Sequence, residues 1–385
     1  MLKSAARALV FIGSLLSCGA IQAETATPTK YPVIYAHGLL GFDTLLGFSY
    51  FGNDWGVFVG DSCQFLELNG CNGWIQGSQK AYQAQVTPLQ DSEVRGLQLY
   101  EQTRNIMALT GSPMVNYIGH SQGALDARKA AHMLKSITGS SKVGAIISIS
   151  GPHRGSPHAK SALDRIARDS NGVFCKTSSN PALACLTATN KLIETFYNVT
   201  TVSKFTNNDA VWSLAQFVYE DYDPNDGRIT GAKAFNERYP GIGVSGYNAS
   251  IITAQENNVS PLLQALHLIT GQSNIDGDEN GNAYDGDDDG LVGIASQQFG
   301  VRLQYNPVDW KCNFIVLCYD PLDTVSEVTS LGSVTNLNAP SLSQKTSRLG
   351  VMNEDHLDIV GFGPDDLDEN EFYAALMNQI SKKGF

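Results

Sequence analysis

The chain has 385 residues, of which 42% are hydrophobic, and it carries a formal net charge of −12 with a pI near 5.0. This length and hydrophobic content are sufficient for one large α/β domain or two smaller ones. The negative charge argues against a nucleic-acid partner, because nucleic-acid binding requires a basic surface.

The first 23 residues have the pattern of an export signal. Lys3 and Arg7 precede an apolar run at residues 8–16, and small residues follow up to Ala23. The run is too short to span a bilayer as a mature helix. We expect cleavage after Ala23 and a secreted or periplasmic protein. The alternative is a lipoprotein signal in which Cys18 is acylated and anchors the chain.

The remaining cysteines fall into three pairs that are close in sequence. An even number of cysteines in an exported chain predicts disulfides, and local pairing is the simplest connectivity, although sequence alone leaves the pairing open. The alternative is six buried thiols. No C-x-x-C pair occurs, which argues against a structural zinc site. The local pairs are Cys63 with Cys71, Cys175 with Cys185, and Cys312 with Cys318.

Apolar runs and helical periodicities alternate along the chain, which predicts a mostly parallel sheet flanked by helices. The predicted strands are Tyr31–Ala36, Met114–Ile118, Val143–Ile149 and Ala265–Ile269. The predicted helices are Glu93–Leu109, a helix from Ala124 that stops at Gly139, and Glu369–Ile380 with Phe372, Leu376 and Ile380 on one face.

The pattern loosens between residues 156 and 245. An apolar segment there is compatible with a lid over an apolar cleft and equally with a helix packed in the core. Because no convincing linker occurs, we predict a single domain over residues 24–385, with this lid-like insertion and an acidic loop at residues 276–289.

Gly119-His120-Ser121-Gln122-Gly123 has the G-x-S-x-G form of a nucleophile elbow, a strained strand-to-helix turn that exposes a serine. A predicted strand precedes it and a predicted helix follows it, which is the context that the motif requires. The sequence therefore predicts Ser121 as a nucleophile.

A serine nucleophile needs a base, and the base needs an acid that orients it. In chains with this elbow the order is serine, acid, histidine. Of the seven histidines, only His356 follows the acidic loop, so His356 is the expected base. For the acid, position alone leaves Asp287, Asp288 and Asp289 open. The loop that begins at His37 follows a predicted strand and fits the second half of an oxyanion hole.

The whole set of motifs resembles the secreted triacylglycerol lipases of the Pseudomonas and Burkholderia type, which have an α/β-hydrolase fold. The matching stretches run in the family's order: Tyr35–Asp43, Ser92–Gly96, Val115–Gly123, Gly151–Ser156, Phe235–Pro240, Asp289–Gly293 and His356–Asp358.

The resemblance implies roles for individual residues. Ser121 matches the nucleophile, Asp289 the acid and His356 the base. The other matching positions are Leu39 and Gln122 as the N–H donors of the oxyanion hole, Arg95 as the brace of the oxyanion loop, and Asp358 as a calcium ligand.

The resemblance also implies an activity and its partners. The expected activity is hydrolysis of long-chain acyl esters, such as triacylglycerols, at an oil–water interface through an acyl-enzyme and without an organic cofactor. A periplasmic foldase and type II secretion machinery are the implied partners. The same triad serves phospholipases, polyester depolymerases and acyltransferases. A catalytically inactive protein that binds acyl surfaces is the alternative outside enzymes.

The acidic loop predicts a calcium site. Asp276, Asp278, Asn280 and Gly281 follow the spacing D-x-D-x-N-G of an EF-hand loop, with Asp287 at the twelfth position. The resemblance implies a second calcium site, in which Asp276 or Asp278 pairs with Asp358 and clamps the loops that carry Asp289 and His356. The alternative is a solvated acidic loop without a metal.

Overall fold

The structure is a computed structural model of the chain. It describes residues 27–39, 44–45, 48–49, 51, 79–166, 213–221, 231–255, 259–261, 263–264, 267, 274–307, 311–312, 318–319, 326–362, 367 and 369–385. The predicted export signal, including Cys18, lies outside the described residues, as do residues 167–212 and 222–230 of the predicted lid.

Short strands alternate with helices along the described chain. The strands are β1 (Val33–Ala36), β2 (Thr44–Leu45), β3 (Phe48–Ser49), β4 (Ala81–Ala84), β5 (Val115–His120), β6 (Val143–Ile149), β7 (Ser245–Thr253), β8 (Gly300–Asn306), β9 (Lys311–Cys312), β10 (Cys318–Tyr319), β11 (Glu327–Val334) and β12 (Val351–Met352). The helices are α1 (Ser92–Thr110), α2 (Gln122–Thr138), α3 (Pro157–Ile166), α4 (Ala232–Arg238), α5 (Leu342–Lys345) and α6 (Glu369–Lys382).

The central sheet has the strand order β11-β8-β7-β6-β5-β1-β4, and β12 pairs with β7 beside this path. Its strand pairs are parallel apart from β8 with β11, which is antiparallel. Two separate antiparallel ladders join β2 to β3 and β9 to β10. The mostly parallel sheet confirms the predicted α/β class.

Both faces of the sheet are covered. Along β1, Val33 and Tyr35 belong to one core with residues of α6, whereas Ile34 and Ala36 belong to a second core with residues of α1 and α2. Every residue of β1, β5 and β6 is buried. Parallel strands covered on both sides read as continuous apolar runs, which is why the sequence identifies them. Each fully buried aliphatic side chain contributes about 1.5–3 kcal/mol to this packing.

Helix ends follow local capping chemistry. The Asp91 side chain accepts a hydrogen bond from the Val94 N–H at 3.0 Å and caps α1. Helix α2 ends at Gly139, whose φ of 73° lies in the left-handed region, as the sequence predicts. Helix α6 confirms the predicted C-terminal helix, with Phe372, Leu376 and Ile380 fully buried.

One predicted strand is wrong. Within the interval predicted as the strand Ala265–Ile269 the described residue, His267, is helical, and so are Leu263 and Gln264 before it. A short apolar run has the same composition in a buried strand and in a buried helix, so the pattern does not separate them. Among the described helices, none combines the length and the apolar character needed to cross a membrane.

Candidate active site

Ser121 is the single residue between β5 and α2. Its φ of 52° and ψ of −127° are unusual for a residue with a side chain, and this strained turn holds the hydroxyl at the end of the strand. The two motif glycines are sterically required. A Cβ at Gly123 would lie 2.0 Å from the Ala36 carbonyl oxygen, and one at Gly119 would lie 2.7 Å from the backbone of Ala124.

Ser121, His356 and Asp289 form a continuous chain of hydrogen bonds. His356 Nε2 lies 2.9 Å from Ser121 Oγ, and His356 Nδ1 lies 2.8 Å from Asp289 Oδ2. The ring nitrogen that faces a carboxylate carries the proton, so Nδ1–H donates to Asp289 and Nε2 accepts from the serine hydroxyl. This arrangement can move the hydroxyl proton to the imidazole while the carboxylate stabilises the resulting positive charge.

The Asp289 carboxylate is fully buried and accepts hydrogen bonds on both oxygens. Oδ1 accepts from the backbone N–H groups of Leu291 at 3.1 Å and Val292 at 2.8 Å. Oδ2, which faces the imidazole, also accepts from Thr253 Oγ1 at 3.0 Å and from Gln297 Nε2 at 3.2 Å. These donors offset the cost of burying a charge and fix the orientation of the carboxylate.

The loop that carries His356 is tied down on several sides. The His356 N–H donates to the Asp289 carbonyl at 2.8 Å. The side chain of Asp355 accepts from the N–H groups of Leu357 and Asp358 on one oxygen and from Ser260 on the other. This loop directly follows β12, so the sheet sets its position.

His120 also contacts His356 and helps to hold it in position. Its Nε2 donates to the His356 carbonyl oxygen at 2.9 Å, and the two ring centroids are 4.8 Å apart. Burial, together with the neighbouring His356, lowers the pKa of His120 well below its usual value. His120 is therefore neutral at neutral pH and adds no charge beside the base.

The predicted oxyanion residues lie around the elbow. Leu39 occupies the turn after β1, and Gln122 begins α2, where first-turn N–H groups have no acceptor within the helix. The close approach of Gly123 to Ala36 and His37 shows that the start of α2 lies against this turn. The Gln122 side chain donates to the Gln90 carbonyl at 2.7 Å, which anchors the residue that follows Ser121.

Arg95 braces the turn after β1 from α1. The guanidinium donates to the His37 carbonyl at 2.6 Å and to Asp126 of α2 at 2.8 Å, and both charged side chains are fully buried. Burial, with a smaller effect of the Arg95 charge, lowers the pKa of His37 to about 3. The neutral His37 ring then accepts from the Val86 N–H at 3.3 Å.

The predicted calcium ligands are brought together only in part. Among the described residues, Asp276, Asp278 and Asp287 each place one carboxylate oxygen within 4.8 Å of the others. Asp358 is not a member of this group; it begins a 3₁₀ helix (Asp358–Val360) and its N–H donates to Asp355. The described residues therefore favour the local loop over the pairing with Asp358 that the resemblance implies.

The predicted disulfides fall mostly outside the described residues, which omit Cys63, Cys71, Cys175 and Cys185. Cys312 and Cys318 are paired directly in the antiparallel ladder of β9 and β10. Paired residues of antiparallel strands have Cα atoms about 4.5–5.5 Å apart. This separation is within the range that a disulfide requires.

Two residues at the site were missed by the sequence reasoning. Thr253 is the last residue of β7, and its position at the end of a buried apolar strand was an available signal. Gln297 contacts Asp289 from a loop without periodicity or motif, so the sequence held no signal for it.

No protein-family model matches the chain. The triacylglycerol lipase of Vibrio cholerae is 36% identical over 140 residues, which are 36% of this chain and 38% of that protein. The triacylglycerol lipase of Pseudomonas fragi is 34% identical over 133 residues (34% of this chain, 38% of the relative), and that of Burkholderia plantarii is 32% identical over 160 residues (41% and 39%). The match thus spans less than two thirds of each relative.

Two solved structures are also similar. A metagenomic carboxyl esterase has 14% identity and a TM-score of 0.45, covering 93% of this chain and 77% of its own. A Bacillus licheniformis lipase in its mature form has 17% identity and a TM-score of 0.38, covering 72% of this chain and 82% of its own. Over the matched segment the chain is similar to bacterial triacylglycerol lipases, as its motifs indicate, and its central sheet is mostly parallel and flanked by helices, as predicted.

Proposed function

We propose that this protein is a serine hydrolase that cleaves long-chain acyl esters such as triacylglycerols. The observation that carries the proposal is the spacing of three buried groups: His356 lies 2.9 Å from Ser121 Oγ and 2.8 Å from Asp289 Oδ2. The similarity to bacterial triacylglycerol lipases supports the substrate class.

In the proposed mechanism Ser121 Oγ attacks the ester carbonyl while His356 Nε2 takes the hydroxyl proton. Asp289 holds the imidazole in the tautomer that accepts this proton and stabilises the imidazolium. The N–H groups of Leu39 and Gln122 donate to the oxyanion of the tetrahedral intermediate. His356 then returns the proton to the departing alcohol, which leaves an acyl group on Ser121.

Water completes the cycle. His356 takes a proton from the water as it attacks the acyl carbonyl, and the same donors stabilise the second oxyanion. The Ser121–acyl bond then breaks, the fatty acid leaves, and the proton on His356 returns to Ser121 Oγ. No organic cofactor takes part in this mechanism.

The proposal places the mature protein outside the cytoplasm. Its support is the sequence alone: a basic start, an apolar run and small residues up to Ala23, followed by six cysteines. The same proposal includes a substrate at an oil–water interface. It also includes a periplasmic foldase and type II secretion machinery as partners.

Initial rates on emulsified triacylglycerols from short to long acyl chains, on phospholipid vesicles and on polyester film test the proposal. We expect triacylglycerols with long chains to be hydrolysed fastest, and Ser121→Ala to lower that rate by about 10⁴-fold or more. The matched control is Ser140→Ala, an exposed serine after α2, which should retain the wild-type rate.

Two results would overturn the proposal. A rate on phospholipid or polyester far above that on every triacylglycerol would reject the substrate class. A folded Ser121→Ala protein that retains more than about a hundredth of the wild-type rate would reject the serine mechanism.

A further inference from the structure

Three carboxylates of the acidic loop lie together beside the candidate active site. Asp276, Asp278 and Asp287 each contribute one oxygen to a group in which the oxygens are within 4.8 Å of one another. Asp278 is 4% exposed, Asp287 is fully buried and Asp276 is half-buried. Carboxylates at this separation repel one another unless a cation or protons offset their charge.

Asp287 provides an independent indication of a ligand. Its Oδ2 accepts from the Asp278 N–H at 2.6 Å, whereas its Oδ1 is buried and has no hydrogen-bond partner within the described part of the chain. A buried carboxylate oxygen without a donor is unfavourable and calls for a partner such as a bound ion.

Basic side chains of the described residues do not supply that partner. Arg154 and Lys345 both pair with Glu279, and Arg348 lies 3.9 Å from Asp285. Over the described ranges, Asp276, Asp278 and Asp287 form no ion pair. The described basic residues around the loop therefore pair with neighbouring acids, and none of them offsets the negative charge of these three carboxylates.

The backbone hydrogen bonds and turn of the loop also agree with the EF-hand spacing of its sequence. The two oxygens of Asp276 accept from the N–H groups of Asn280 and Gly281, both at 2.8 Å. Gly281 has a φ of 95°, in the region that favours glycine at the sharp turn of an EF-hand loop. These contacts fix the first ligand of the loop but do not themselves indicate an ion.

We propose that Asp276, Asp278 and Asp287 bind one Ca²⁺ ion. Three carboxylates without nitrogen or sulfur donors suit a hard cation, and Ca²⁺ accepts irregular oxygen cages that Mg²⁺ does not. This site is distinct from a pairing of the loop with Asp358, and it does not depend on the proposed hydrolase activity.

The ion would stabilise the loop that carries the proposed acid. The Ile294 N–H donates to the Asp287 carbonyl at 2.9 Å, and the Ala295 N–H donates to the Gly277 carbonyl at 2.9 Å. These bonds connect the loop that carries the three carboxylates to the residues that follow Asp289. The role of the proposed ion is therefore structural: the ion holds the loop in place and takes no part in bond breaking.

Calorimetric titration of the metal-free full-length protein with CaCl₂, together with melting curves, tests the site. We expect saturable binding of one ion and a rise in melting temperature of about 3 °C at Ca²⁺ concentrations roughly 100-fold above Kd. Asp276→Asn and Asp278→Asn should each weaken binding by about 10-fold or more, because ligand charge sets the affinity. Glu101→Gln, an exposed carboxylate on α1, should bind as the wild type does.

Asp358→Asn distinguishes the two arrangements, since it should retain the wild-type affinity. Loss of binding in Asp358→Asn would overturn the proposal, because only the pairing of Asp276 or Asp278 with Asp358 requires that residue. Wild-type binding in both Asp276→Asn and Asp278→Asn would overturn it as well. The titration of the wild-type protein does not depend on whether the variants fold. If the wild type shows no binding and no change in melting temperature up to ~10 mM Ca²⁺, a concentration above the Kd of weak extracellular sites, the proposal is also overturned.

Discussion

Three adjacent aspartates in one loop have different environments. Asp289 is fully buried, faces His356 and receives donors on both oxygens. Asp288 accepts from the Gly290 N–H at 2.7 Å, and burial, with a contribution from neighbouring carboxylates, raises its pKa to about 7. Asp287 belongs to the proposed calcium site. The three residues are all aspartates, yet each adjacent position in the loop gives the carboxylate a different environment and a different chemistry.

Asp289→Asn should lower kcat by about 10⁴-fold, because an amide at this position favours the wrong imidazole tautomer and cannot stabilise the imidazolium. Asp288→Asn is the matched control, since it preserves the acceptor for Gly290 and does not contact the imidazole. Its kcat should stay within about 10-fold of the wild type. Steady-state kinetics on a soluble ester give the comparison, and a greater loss in Asp288→Asn would show that the acid is misassigned.

The sequence predicted the candidate site unevenly, for physical reasons. Ser121 was identified because the strand, turn and helix that expose it are local in sequence. His356 followed by elimination, since few histidines were available. Asp289 could be chosen over its neighbours only by resemblance, because its distinguishing contacts come from distant residues. The position of Gln297 depends on tertiary contacts, so no local pattern identified it.

Two elements were predicted from the patterns that burial leaves in the sequence, a continuous apolar run for a strand and a periodic apolar face for a helix. The strand predicted at Val143–Ile149 coincides with β6, and the C-terminal helix with the apolar face of α6. The short apolar run at Ala265–Ile269 lacked the length that separates a helix from a strand, and tertiary packing decided its conformation.

Arg95 links three elements: α1, on which it lies, α2 through Asp126, and the turn after β1 through the His37 carbonyl. A planar guanidinium can satisfy both partners at once, whereas a lysine ammonium cannot reach both in the same geometry. The turn it braces carries Leu39, one of the two proposed oxyanion donors.

Arg95→Lys should therefore lower kcat by about 10–100-fold with a smaller change in KM, since a misplaced donor weakens transition-state binding most. Unfolding in urea should show a loss of about 1–3 kcal/mol from the broken buried hydrogen bonds. The matched control is Arg104→Lys, an exposed arginine of the same helix. A loss of stability with wild-type kcat would show that Arg95 supports the fold and not the oxyanion turn.

The sheet assembles the site from distant parts of the chain. Leu39 follows β1, Ser121 follows β5, Thr253 ends β7 and His356 follows β12, so these residues meet at the carboxyl edge of parallel strands. Open α/β sheets bind ligands at this edge. Ser121 and His356 are 235 residues apart in sequence, and only the folded sheet brings them within hydrogen-bond distance.

Covalent labelling with a fluorophosphonate ester tests the central claim most directly, because only an activated serine attacks the phosphorus. The measurement is mass-spectrometric mapping of the adduct alongside the residual activity. We predict one adduct, on Ser121, a loss of activity in proportion to labelling, and labelling slowed by about 10²-fold or more in His356→Ala. Continued ester hydrolysis with Ser121 fully labelled, or loss of activity with the adduct on another residue, would contradict the account.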